Sequence, residues 1–266
     1  MNRIEETFAR LRSQGRKGLV VYIGAGDPDL AATRDLVMAF DKAGVAVVEL
    51  GVPFSDPLAD GLVNQLSAQR GLESGTTPAG VLKTVREIRE ESRIPIVLYV
   101  YFNLIHKVGL ENFIQQSAQA GVDGLLILDL PPEESENYEA LMKKAGLSQI
   151  YLVAPTTPDE RVEKIVRRGS GFIYCISREG VTGMQSQVAA DLAAQVSRIR
   201  AHTPLPVAVG FGVSNADQAR LVARHADAVV VGSAIVQQIA THGRSAGGLE
   251  SVAGFVQSLA RAVAEI

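Results

Sequence analysis

Three carboxylates fall within thirteen residues of one another, Glu49, Asp56 and Asp60 in the segment E-L-G-V-P-F-S-D-P-L-A-D-G (49–61). Glu49 closes the apolar run V-A-V-V-E-L, which reads as a β-strand. A carboxyl group on a buried strand loses hydration, its proton affinity rises, and it becomes suited to proton transfer near neutral pH. The competing reading is a structural glutamate paired with an arginine, because a buried charge without a partner costs several kcal/mol, on the order of its lost solvation. Asp56 and Asp60 stand among prolines and glycines, where solvated or helix-capping aspartates are as well accommodated as working ones.

Two glycine clusters carry a second chemistry. G-F-G (210–212) and G-S-A (232–234) each follow an apolar run. Glycine lets a phosphate approach backbone N–H groups, and a following helix N-terminus adds donors and a positive dipole end. Gly212, Gly232 and Ser233 are therefore candidate phosphate contacts, with Gly183 able to close the same cradle. The plainer alternative is tight turns with Ser233 as a helix cap. G-A-G-D-P-D (24–29) lacks the third glycine of a dinucleotide fingerprint, and no Gly-Lys-Ser/Thr sequence exists for a nucleotide loop, so it is assigned a turn-and-cap role.

The elements that must position these groups recur in one pattern. Eight β-branched runs lie near 19–24, 45–50, 95–101, 123–128, 149–154, 171–176, 206–210 and 227–232, most of them apolar throughout rather than alternating. Continuous apolar strands are buried on both faces, which means a parallel sheet covered by helices. Helical spacing appears between them, for example over 29–43, 78–91, 108–120, 133–145, 158–168, 188–200 and 214–224, with Gly44, Gly121 and Gly146 as stops. Eight βα units predict an α/β fold, a single (β/α)8 TIM barrel spanning 1–266, with an extra amphipathic N-terminal helix across its floor. Working groups of a barrel lie at the carboxyl ends of its strands, where 49–61, Asp129, 177–183, 210–212 and 232–234 all fall.

No lysine lies in or just after any of these strands, which argues against a Schiff-base aldolase. The four histidines are scattered without metal-ligand spacing, and Cys175 sits mid-strand as a small hydrophobe. Tyr99 and Tyr101 share one strand face and are expected to help line a flat apolar pocket. The net charge of −3 offers no field for nucleic acid, and no apolar stretch is long enough to span a bilayer; a cytoplasmic location is expected. What remains is carboxylate acid–base chemistry on a phosphorylated substrate.

The 49–61 segment, together with G-D-P (26–28), S-R-E-G-V-T-G (177–183), G-F-G-V-S (210–214) and G-S-A-I-V (232–236), resembles the tryptophan synthase α subunit family along essentially the whole chain. That resemblance implies a barrel lyase cleaving indole-3-glycerol phosphate to indole and D-glyceraldehyde 3-phosphate in L-tryptophan biosynthesis. It implies Glu49 as the general acid–base and Asp60 as the carboxylate meeting the indole N–H. Tyr22, Tyr101 and Leu126 then match the indole wall, and Tyr174, Thr182, Gly183, Phe211, Gly212, Gly232 and Ser233 the substrate and phosphate contacts. Asp129 matches a position that meets the loop around 179–183, and segments 53–61 and 177–190 match lids. The resemblance further implies no cofactor in this chain and a pyridoxal-phosphate β subunit as partner in an α2β2 complex. The sequence departs from the family at Leu62 and Leu104, in stretches expected to be loops facing the partner, and at Gly24, where the family has a bulkier residue. Another phosphosugar barrel enzyme, a non-catalytic binding subunit and a standalone indole-releasing lyase are the alternatives the residues leave open.

Overall fold

A computed structural model describes residues 2–177, 185–210 and 212–266. Eight strands pair in parallel and in sequence order, β1 (Gly18–Gly24), β2 (Val47–Gly51), β3 (Ile96–Val100), β4 (Gly124–Ile127), β5 (Ser148–Val153), β6 (Ile173–Ile176), β7 (Val207–Gly210) and β8 (Ala228–Val231). β8 returns to β1, with Val20 opposite Val230, so the sheet closes into a barrel. The helices of the outer layer are α2 (Leu30–Lys42), α3 (Leu62–Glu73), α4 (Pro78–Arg89), α5 (Phe102–Val108), α6 (Leu110–Ala120), α7 (Glu136–Ala145), α8 (Asp159–Arg168), α9 (Gln185–Arg200), α10 (Ala216–Ala223), α11 (Ser233–His242) and α12 (Gly248–Ala264).

The two-residue period of the strands explains why the sequence looks apolar throughout. Val20, Val47, Val97, Leu126 and Ile150 turn into the barrel, whereas Val21, Val48, Leu98, Leu125 and Cys175 turn outward onto the helices. Both faces are buried along most of the sheet, with Tyr99, Leu152 and Tyr174 among the residues only partly so. Cys175 is buried in this outer core, and burial pushes its thiol up to about 12, as expected of a small hydrophobe.

An N-terminal helix, α1 (Arg3–Ser13), seals the floor. Asn2 begins it with a capping box shared with Glu5 and donates to Ser148 Oγ at 2.6 Å. Ile4 and Phe8, one turn apart, plug the barrel, and the Phe8 ring lies 5.7 Å from Phe172. Burial of an aromatic side chain of this kind contributes roughly 2 kcal/mol. Asp123 locks the plug: Arg3 and Arg89 reach its two oxygens at 2.7 and 2.8 Å, and the Ile96 N–H donates to it at 2.8 Å.

The three predicted glycine stops all adopt left-handed backbone, at φ +81° for Gly44, +90° for Gly121 and +72° for Gly146. α3, α5, α11 and α12 lie outside the helical segments named from the spacing. The reason is plain for α3, whose buried residues are Ser67 and Gly71 while Leu62, Leu66 and Leu72 face outward. Leu62 and Leu104 therefore lie in helices rather than loops. Leu62 opens α3, and Leu104 sits in α5, packed partly against the outer core.

Candidate active site

At the carboxyl end of the barrel, Glu49 on β2 stands in register between Tyr22 on β1 and Val97 on β3, and points inward. Its side chain is 1% exposed, and Oε1 is enclosed with no hydrogen-bond partner. Among the described residues no arginine pairs with it, which disfavours the ion-pair alternative. With desolvation as the cause, its carboxyl is pushed up from 4.5 to about 8, so the group is largely protonated at neutral pH yet close to its titration point.

Asp60 is placed by a different device. It lies in the loop between β2 and α3, and two tyrosines of β3 and its end hold it: Tyr99 donates to Oδ1 at 2.8 Å and Tyr101 to Oδ2 at 2.7 Å. The Tyr101 hydroxyl in turn accepts from the Ala59 N–H at 3.0 Å, and Phe54 packs on its ring. Tyr99 and Tyr101 do share one face, as their spacing requires, but they act as hydroxyl donors to a carboxylate rather than as a merely apolar lining. Burial first, then Asp60, keeps both phenols protonated far above their usual range.

Tyr22 joins the two carboxylates. Its ring meets Tyr99 edge-on at 4.9 Å, and its hydroxyl lies over Gly51, where a Cβ would come within 2.3 Å of it. Burial first, then the charges of Asp60 and Glu49, raises its proton affinity. Tyr174 on β6 enters from the opposite wall, with its proton affinity raised by burial and then by Glu49. Leu126 lies in the inner core beside Tyr99 in register.

The glycine loops border the same mouth. Gly232 caps α11, and a Cβ on it would sit 3.3 Å from the Tyr22 Cβ. Ser233 is the first helical residue rather than the cap, and it is exposed at the helix N-terminus. Gly212 holds φ +75°, a left-handed backbone that favours glycine. Asp129 is exposed at the end of β4 and accepts from the Phe102 N–H at 2.7 Å. Asp56 is exposed in the loop. Thr182, Gly183 and Phe211 lie outside the described residues.

Sequence reasoning missed Gly51, the polar use of Tyr99, and Asp27. In G-A-G-D-P-D, Asp29 caps α2 as predicted, accepting from the Ala32 N–H at 2.7 Å. Asp27, by contrast, is buried and takes two bonds from Arg70, which no local pattern announces. Among the described residues, no group of three or more His, Cys, Asp or Glu side chains is placed to hold a metal ion.

The family model described as tryptophan synthase alpha chain matches residues 8–264. The chain belongs to that family. The tryptophan synthase alpha chain of Opitutus terrae is 53% identical over 239 residues, covering 90% of each chain, and that of Citrifermentans bemidjiense is 49% identical over 263 residues, covering 99% of this chain and 98% of the relative. The crystal structure of tryptophan synthase subunit alpha from Legionella pneumophila superposes with a TM-score of 0.92 at 36% identity, covering both chains completely. As a tryptophan synthase alpha chain, the protein is a lyase of tryptophan biosynthesis that cleaves indole-3-glycerol phosphate, and its family works with a β subunit. No helix among the described residues is long and apolar enough to cross a membrane.

Proposed function

We propose that Glu49 moves the protons of indole-3-glycerol phosphate cleavage while Asp60 holds the charge that cleavage creates. With neither a Schiff base nor a metal assigned, the substrate's indole must serve as the electron sink, and it does so once C3 is protonated. Neutral Glu49 gives its proton to C3, which leaves a positive charge near the ring nitrogen. Asp60, fixed by Tyr99 and Tyr101, accepts the ring N–H and stabilises that charge. The Glu49 carboxylate then takes the proton of the glycerol hydroxyl beside the ring. The carbon–carbon bond breaks, its electron pair restores the aromatic indole, and the departing carbons become the aldehyde of D-glyceraldehyde 3-phosphate. Glu49 ends protonated, ready for the next turnover.

In this reading Tyr22, Tyr101 and Leu126 bound the indole, and Tyr174, Thr182, Gly183, Phe211, Gly212, Gly232 and Ser233 bind the glycerol phosphate. Asp129 steadies the segment that follows β6. The chain functions as one barrel domain over 1–266, cytoplasmic and without a cofactor of its own, in an α2β2 complex whose β subunit carries pyridoxal phosphate. Exposed leucines beside the mouth favour that docking, with Leu58 83% and Leu62 69% exposed.

The observation that carries the assignment is the enclosed Glu49 carboxyl, whose Oε1 has no partner among the described residues, in register beside Tyr22, whose ring packs on the Tyr99 that holds Asp60. Single-turnover indole release from indole-3-glycerol phosphate by Glu49→Gln and Asp60→Asn, with and without the β subunit, tests it. Both variants should bind substrate and release indole at least ~10²-fold more slowly. Normal release by either one rejects its role, and release unaffected by the β subunit favours the standalone lyase.

A further inference from the structure

Helix α3 carries the loop that presents Asp60, yet it is poorly anchored by apolar contact. Its buried residues are Ser67 and Gly71, two of the smallest side chains available, while Leu62, Leu66 and Leu72 face away from the barrel. What holds it is polar. Asp27, 1% exposed at the end of β1, receives Arg70 Nε at 2.8 Å on one oxygen and Arg70 Nη2 at 2.7 Å on the other, and Ser67 Oγ donates to it at 2.6 Å. The bidentate fork fixes both the rotation and the height of the helix against β1.

The surrounding chain is shaped to admit this cluster. A Cβ on Gly24 would lie 2.3 Å from Ser67 Oγ, so the glycine makes room for the serine that completes the cluster. A Cβ on Gly71 would lie 2.8 Å from the Ala25 carbonyl, so the glycine lets the helix approach the chain after β1 beside the ion pair. At the other end of α3, Gln65 Nε2 donates to the Asp60 carbonyl at 2.8 Å, and the Asn64 and Gln65 N–H groups both donate to Gly61 at 3.0 Å. One stiff helical segment therefore runs from Asp27 to the backbone of Asp60. Buried ion pairs seldom add much net stability, and their best-attested use is to fix a register.

We propose that the Asp27–Arg70–Ser67 cluster is a positioning device that sets the reach of Asp60 into the barrel mouth. The proposal rests on the role of Asp60 assigned above. Arg70 lies two helical turns from the loop and acts through Asp60, so its loss affects the transition state only while Asp60 is able to work. A displacement of about 1 Å in a reacting group costs on the order of 10²-fold in rate.

The test is a mutant cycle read by single-turnover indole release with enzyme in excess, using Arg70→Met and Arg70→Lys, each alone and combined with Asp60→Asn. Arg70→Met should lower the saturating single-turnover rate constant by roughly 10- to 100-fold, with the half-saturating enzyme concentration changed less than about threefold, at a temperature well below its melting point. Arg70→Lys keeps the charge, loses the fork, and should fall between Arg70→Met and the parent. In the Asp60→Asn background the same substitutions should cost less than about twofold. If Arg70→Met does not fold, Arg70→Lys and Ser67→Ala carry the same comparison. Variants that melt earlier but turn over normally, or that lose as much rate without Asp60 as with it, overturn the proposal. An Asp60→Asn chain that turns over normally instead overturns the role of Asp60 on which it rests.

Discussion

Replacing Glu49 by glutamine should stabilise the protein, and the gain should depend on pH. The carboxyl titrates near 4.5 when exposed and about 8 in place. Below pH 4.5 it is protonated in both folded and unfolded chains and contributes no difference. Between 4.5 and 8 the unfolded chain releases the proton and the folded one keeps it, so stability falls by about 1.4 kcal/mol per pH unit as pH rises. Above 8 the loss levels off near 5 kcal/mol, an order-of-magnitude figure for a fully buried group. Glutamine has nearly the same shape and no proton to lose. At pH 7 the variant should therefore exceed the parent by about 3 kcal/mol, or roughly 6–12 °C in melting temperature, and by almost nothing at pH 4.5. Melting both proteins by circular dichroism at half-unit steps from pH 5 to 8.5 gives the difference curve directly. A difference that does not change with pH would mean that the buried carboxyl keeps an ordinary proton affinity, and the reasoning would fail.

Other outcomes follow from the same geometry. Asp60→Asn removes the charge that Tyr99 and Tyr101 hold, and kcat should drop at least ~10²-fold with KM little changed in steady-state indole release. Ser233→Asp puts a negative charge at the α11 N-terminus, so KM for the phosphorylated substrate should rise at least about tenfold while kcat stays near that of the parent; an unchanged KM would place the phosphate elsewhere. Asp123→Asn leaves Arg89, which is only 11% exposed, without its counter-charge under the barrel floor, and should cost about 3 kcal/mol in urea unfolding at pH 7 without altering kcat.

The barrel was legible because most strands are apolar on two faces and several helices stop at a glycine, as at Gly44, Gly121 and Gly146, signals confined to a few neighbouring residues. Glu49 was legible for a related reason. A carboxylate ending such a strand has no local partner, and the closed sheet supplies none. Asp60 was visible only as one of two loop aspartates, since Tyr99 and Tyr101, the groups that distinguish it from exposed Asp56, lie about forty positions away. The same distance concealed Asp27, whose partners Ser67 and Arg70 sit on a helix that lacks an inward apolar stripe. Pairings across the fold leave no periodic trace, whereas burial does.

The most direct measurement is the titration of the Glu49 side chain itself. Carbon-13 NMR of the δ-carboxyl, assigned by its disappearance in Glu49→Gln, should give a midpoint of about 8 in the ligand-free protein. A midpoint between about 4 and 5 would mean a solvated or ion-paired carboxylate, and a proton donor at that position would be contradicted.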